Sequence, residues 1–240
     1  MSKNYIIYNG KHSYEDFGLL IDHIILPSTN EVIEEIEIEG RNGTLTERKG
    51  YYNNRNITIQ CSLKRKILED FEQFSLRLEE VMNWLRVFNK DLILYINPNR
   101  VYKVKDIVLG EIETDNAIFY NFEAKLTCEP FSYILNEEIV KITTNNFNYY
   151  YKGTAHGEMK LKIYGTGNIQ LTINDEVVQI NNVTDNVTLD SKLLLCLNSD
   201  GTNKSKEMIG NFPLLEKGIN SISWTGNITK IELTPRTAFI

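Results

Sequence analysis

Residues 32–63 read VIEEIEIEGRNGTLTERKGYYNNRNITIQCSL, and the spacing of their apolar positions decides the fold class. Ile36 and Ile38 alternate with Glu35, Glu37 and Glu39, the two-residue period of a strand with one face covered and the other in water. Gly40, Gly43 and Gly50 stand among polar residues in the next segment, as in a loop or a long hairpin tip. Ile57, Ile59, Cys61 and Leu63 then share one face of a second strand. The stretch therefore reads as two strands joined as an antiparallel hairpin, and the chain as mainly β.

Beyond Leu63 the period changes. Ile67, Phe71, Phe74, Leu78, Val81, Leu85 and Phe88 follow steps of four and three, placing them on one face of a helix that starts near Lys64. A coiled-coil seam has similar spacing, but over this length a helix laid on a sheet is the expected arrangement. DLILYI and VYKVKDIVL follow as short strands around the Asn97–Pro98–Asn99 turn. Tyr120, Phe122, Ala124, Leu126 and Cys128 alternate before Pro130, and this strand closes a first domain near Tyr133.

From Asn136 to Gly157 the composition shifts to Asn, Thr and Tyr, which marks a linker. Domains of 1–135 and 136–240 are expected. The second contains no convincing helix; MKLKIYG, NIQLTIN, EVVQI, NVTLD, KLLLCLN, NSISW and ITKIEL are short runs separated by Gly, Asn and Asp. Such spacing indicates a β-sandwich. Gly165, Gly167, Gly201, Gly210, Gly218 and Gly226 fall between these runs, and Gly165–Thr166–Gly167 reads as a tight β-turn.

With 240 residues the chain can bury two cores, and 42% apolar with 24% charged residues is an ordinary globular balance. A net charge of -6 opposes general nucleic-acid binding, which needs surplus Lys and Arg. No apolar run approaches the roughly 20 residues that span a bilayer. Residues 1–18 have one lysine close to the start, Lys3, no long apolar stretch and no small-residue cleavage site, so no secretory route is expected. Cys61, Cys128 and Cys196 are far apart, form no Cys-x-x-Cys pair, and read as buried reduced thiols.

Motifs for chemistry are missing. No Gly-x-Ser-x-Gly elbow or His-Glu-x-x-His occurs, and His12, His23 and His156 lack metal-ligand spacing; His156 reads as a turn residue. Gly165–Thr166–Gly167 lacks the third glycine and following helix of a dinucleotide fingerprint. Glu35, Glu37 and Glu39 are like charges at i, i+2 and i+4, an arrangement that normally faces water, or else lines a channel or a partner surface. The Asn-x-Thr triplets, such as Asn182–Val183–Thr184, are chance products of an Asn- and Thr-rich chain. No enzymatic activity, cofactor or metal is expected.

One ordered set of short motifs remains. Val187–Thr188–Leu189–Asp190–Ser191 leads into an apolar strand, followed by Met208–Ile209–Gly210–Asn211–Phe212–Pro213–Leu214–Leu215 and Gly218–Ile219–Asn220–Ser221–Ile222. In the first half stand Asp16–Phe17–Gly18–Leu19, Gly40–Arg41–Asn42–Gly43 between strands, Trp84–Leu85 late in the helix, and Pro130–Phe131–Ser132–Tyr133. In order and spacing, over nearly the whole chain, the set resembles the distal tail proteins (Dit) of long-tailed, siphovirus-like phages and prophages.

That resemblance implies an N-terminal β-sandwich or barrel-like domain with one helix, which forms a homohexameric ring, and a C-terminal galectin-like sandwich outside it. It also implies a place in the virion, at the tail tip or baseplate. There such a ring joins the tail tube protein to the tail-tip or tail-lysin protein and to receptor-binding proteins. Galectins' sugar-binding residues are not matched around Trp224, which reads as core. A carbohydrate-binding accessory module that attaches to the host wall is the competing reading. Glu35, Glu37, Glu39, Arg41 and Asn42 are the candidate lumen or partner-contact residues; acidic side chains on a lumen would keep passing DNA from sticking.

Overall fold

The computed structural model describes residues 4–115 and 118–240; the early lysine, Lys3, lies outside the described residues. The chain is mainly β and divides into two compact units after Ser132.

The first unit contains β1 (Ile6–Tyr8), β2 (Lys11–His12), α1 (Ser13–Phe17), β3 (Leu19–Ile25), β4 (Glu31–Glu37), β5 (Thr44–Tyr52) and β6 (Arg55–Lys64). α2 (Phe71–Leu85), β7 (Asp91–Leu94), β8 (Arg100–Leu109), β9 (Glu113–Asp115) and β10 (Phe119–Ile134) follow. The main sheet runs β2-β1-β7-β8-β10-β6-β3, and β1–β7, β6–β10 and β3–β6 pair antiparallel. Its register is set by the alternation read in the sequence: Leu63 faces Tyr120, Cys61 Phe122, Ile59 Ala124 and Ile57 Leu126. One-residue slippage would turn this apolar set into water, so the pairing is strongly specified.

α2 lies on that core through Phe74, Leu78, Val81, Met82, Trp84 and Leu85. The Trp84 indole donates to the Tyr8 carbonyl at 2.8 Å and its ring stacks on Phe17 at 4.7 Å. The helix starts later than its apolar stripe suggests. Asp70 and Gln73 form a reciprocal capping box, so Ile67 precedes the helix and is 99% exposed. Phe88 likewise lies beyond its end. α1, which the sequence reading left out, is only five residues long; the His12 imidazole caps it by accepting from the Tyr14 and Glu15 amides, both at 3.2 Å.

A second difference concerns residues 32–63. β4 pairs with β5, not with β6, and the two form a sheet of their own; β6 joins the main sheet between β3 and β10. β5 (TLTERKGYY) exposes most of both faces, so it shows no apolar alternation and reads as loop.

The second unit contains β11 (Val140–Ile142), β12 (Phe147–Tyr151), β13 (Lys160–Ile173), β14 (Glu176–Val183), β15 (Asn186–Asp190), β16 (Leu195–Asn198), β17 (Met208–Ile209), β18 (Gly218–Thr234) and β19 (Ala238–Phe239). Its core holds Leu161, Ile163, Leu171, Val187, Leu189, Trp224, Ile231 and Leu233 among others. The segment read as a linker contributes β11 and β12, both paired with β18. Phe147, Tyr149 and Tyr151 turn inward with period 2, a signal hidden by the Asn-rich surroundings.

β13 joins two runs that read as separate strands. Gly165–Thr166–Gly167 is not a tight turn but an irregularity inside it, where the register with β18 shifts. A Cβ on Gly165 would stand 2.3 Å from the Asn227 carbonyl oxygen, so only glycine lets β18 pass so close. On one side of this kink β13 pairs with β15, on the other with β14.

Candidate interaction surface

Among the described residues the β4–β5 pair is a two-stranded ribbon with no third strand. Its root is pinned. Thr29 Oγ1 donates to the Pro130 carbonyl at 2.6 Å and accepts from the buried Arg55 guanidinium, and the Tyr52 ring meets Phe131 edge-on at 5.1 Å. Its far end closes through the Arg41 amide, which donates to the Ile38 carbonyl at 3.1 Å, with Gly40 at φ 79. Near the root, Gly50 at φ 74 sits where β5 carries extra residues opposite Glu31–Ile33, a bulge that twists the ribbon.

Strand alternation gives the ribbon two unlike faces. On one, Ile36 lies opposite Leu45 and Glu34 opposite Glu47; Lys49 bridges both carboxylates, at 2.6 Å and 2.9 Å. Those contacts push the Lys49 pKa up and hold Glu34 below the usual carboxylate range, each chiefly through their shared hydrogen bond. On the other, Ile33 lies opposite Arg48, Glu35 opposite Thr46 and Glu37 opposite Thr44. Arg48 pairs with Glu31 at 2.6 Å.

The residues singled out in the sequence all fall on this ribbon, exposed: Glu35 and Glu37 on β4, Glu39, Arg41 and Asn42 around its tip. Glu35 accepts weakly from Thr44 at 3.5 Å, while Glu37 and Glu39 make no ion pair among the described residues. The isoleucines between them differ from expectation more. Alternation predicts that Ile36 and Ile38 lie on a covered face, yet Ile36 is 37% exposed and Ile38 44%, with Leu45 across from Ile36 at 44%. A two-stranded hairpin is marginal alone in water, and an open aliphatic face adds to that cost. Both are removed when another surface covers the ribbon.

Sequence reasoning missed a second surface, the turn Lys64–Leu68 ahead of α2. Ile67 and Leu68 project almost wholly into water, flanked by Lys64, Arg65 and Lys66. Ile67 and the three cations border a cleft of about 380 Å³ that also includes Leu20 and Arg77. Arg77 crosses beneath it, pairing with Glu69 through two bonds of 2.7 Å and donating to the carbonyls of Phe17 and Lys64. That hydrogen-bonded pair holds the Glu69 pKa low. The signal for this turn was present: the Asp70–Gln73 box places the preceding apolar pair outside the helix.

In the second unit, the motif residues act as pegs for loops. The Asp190 carboxylate takes both Arg236 nitrogens, at 2.6 Å and 2.7 Å, and the Lys192 and Leu193 amides. Burial works to raise its pKa, but the Arg236 and Leu193 hydrogen bonds outweigh it and hold the group low. Ser191 donates to the Pro213 carbonyl at 2.7 Å. The buried Asn220 accepts from the Glu216 amide and donates to the Glu216 and Gly218 carbonyls. Trp224 packs in the core, its backbone held on both sides by Asn145. Burial pushes the Cys128 thiol up to about 12 and Cys196 up to about 11, and raises Cys61 as well, so these thiols stay protonated and unreactive. No group of three His, Cys, Asp or Glu among the described residues is placed to hold a metal. No described helix is long and apolar enough to cross a membrane.

No protein-family model matches the chain, and no curated protein matches it by sequence. In three dimensions it superposes on the Dit protein of phage SPP1, described as a paradigm of the hub adsorption apparatus in phages that infect Gram-positive bacteria. The match covers 100% of both chains, with a TM-score of 0.75 and 13% identity. The mainly β, Dit-like fold implied by the ordered sequence motifs is thus the fold the chain has.

Proposed function

We propose that this chain is a structural hub protein of a phage tail tip, and that it works by assembly, without catalysis. The observation that carries the reading is the β4–β5 ribbon: on the fold of a hub adsorption protein, it keeps an aliphatic face open in the single chain. Such a face belongs to a subunit whose neighbours complete it.

In this reading residues 1–135 form a homohexameric ring at the virion's tail tip, and residues 136–240 are a galectin-like sandwich outside it. The ring joins the tail tube protein on one side to the tail-tip or tail-lysin protein on the other and carries receptor-binding proteins. The acidic balance of the chain suits a component that DNA passes without binding. Trp224 is packed inside the second unit rather than offered as a stacking platform, which favours a structural role over sugar binding for that unit.

The experiment is the solution mass of the purified chain across concentration, with electron micrographs of the heaviest species. A ring of six copies supports the reading. A single-chain mass throughout, with specific glycan binding by residues 136–240, overturns it.

A further inference from the structure

Two surfaces of the first unit complement each other and do not cover one another in the single chain. The first is the ribbon face of Ile33, Glu35 and Glu37, continued by Glu39 at the tip. Its neighbours Glu31, Glu34 and Glu47 are neutralised by Arg48 or Lys49, but Glu37 and Glu39 are left without ion pairs among the described residues. The second is the turn Lys64–Leu68. Lys64 lies 5.5 Å over the Phe119 ring and Arg65 4.5 Å over Phe71. None of Lys64, Arg65 and Lys66 forms an ion pair among the described residues. Ile67 is 99% exposed, Leu68 96% and Ile33 50%, so neither surface is covered by its own chain.

We propose that the acidic face of β4 docks on the Lys64–Leu68 turn of a second copy of this chain. Glu35, Glu37 and Glu39 meet Lys64, Arg65 and Lys66, while Ile33 covers Ile67 and Leu68 at the rim of the cleft. Charge complementarity names the occupant: an alternating Glu/Ile strand faces a turn of three cations followed by two aliphatic residues. Both halves are on every copy, so the contact is head-to-tail, the kind that closes into a ring when its rotation allows. Exposed charges set register and encounter rate, and the aliphatic contact supplies the burial that holds the pair. The inference rests on the reading of the chain as a self-assembling subunit, and it gives Glu35, Glu37 and Glu39 to the contact between copies rather than to a lumen.

The test uses the full chain in three forms: wild type, E35K/E37K/E39K, and K64E/R65E/K66E. All six positions are at the surface, and circular dichroism checks that each form folds. Each triple variant alone should self-associate about 100-fold more weakly than wild type, since like charges would then face each other. An equimolar mixture of the two should assemble, because every contact in an alternating ring is again complementary. Carbodiimide coupling of the wild type should also yield amide links between Glu37 or Glu39 and Lys64 or Lys66, found by mass spectrometry between isotopically different copies. If wild type assembles and E35K/E37K/E39K assembles equally well, this contact is wrong while the hub reading stands. If no form assembles and no links between copies appear, both fall.

Discussion

Arg77 ties together three segments of the first unit. Its guanidinium binds the Glu69 carboxylate and the carbonyls of Phe17 and Lys64, and both side chains of the ion pair are about nine-tenths out of water. Removing one member of such a pair leaves an uncompensated charge and stranded carbonyls. Arg77→Met should therefore cost about 3 kcal/mol, read from the urea midpoint of the monomer. The pair also sets a pH dependence. Glu69 is held below its ordinary pKa of 4.5 by Arg77, so its contribution is complete above that value and fades as pH falls through the depressed one. Urea titrations should show stability dropping below about pH 4.5, with a shallower slope in Glu69→Gln. Asp190, also held low beside Arg236, acts in the same direction in the second unit.

At the scale of elements, a helix end and a ribbon show what the sequence could and could not disclose. The strands β6 and β10 were legible because each buries one face against its own core, which writes the period into Ile57–Leu63 and Phe122–Cys128. The extent of α2 was blurred because its apolar stripe continues into Ile67 and Phe88, residues placed by exposure rather than by the core. Asp70 decides the true start: Asp70→Ala should cost about 1 kcal/mol by losing the capping box, again read by urea unfolding. β5 was not legible because neither of its faces is fully covered in the chain itself. β4 carried the alternation of a half-covered strand, yet its residues are largely exposed on both faces, which is why the period alone could not give its partner. Because the ribbon adds nothing to the core of its own chain, replacing residues 34–47 by a tight turn should leave monomer stability within roughly 0.5 kcal/mol and remove self-association. Equal loss of both would mean the ribbon supports its own fold instead.

For the whole molecule, the chain combines two compact units and a fold shared end to end with a phage hub protein at 13% identity. In this chain, Ser191 to Pro213, Asn220 to Glu216 and Gly165 under Asn227 hold loops and crossings that the strand pattern alone would leave loose. Ser191, Pro213 and Asn220 were visible in the sequence within the ordered motif set, whereas Gly165 read as part of a tight turn and Ile67 as part of a helix that in fact begins at the Asp70–Gln73 box. The account's central claim is that the uncovered ribbon makes this protein a ring subunit. Light scattering of wild type beside the ribbon-shortened chain, across the same concentrations, tests it most directly. The account predicts a six-chain mass for wild type and a single-chain mass for the shortened form; a single-chain mass for wild type at every concentration, or a six-chain mass that survives loss of the ribbon, would contradict it.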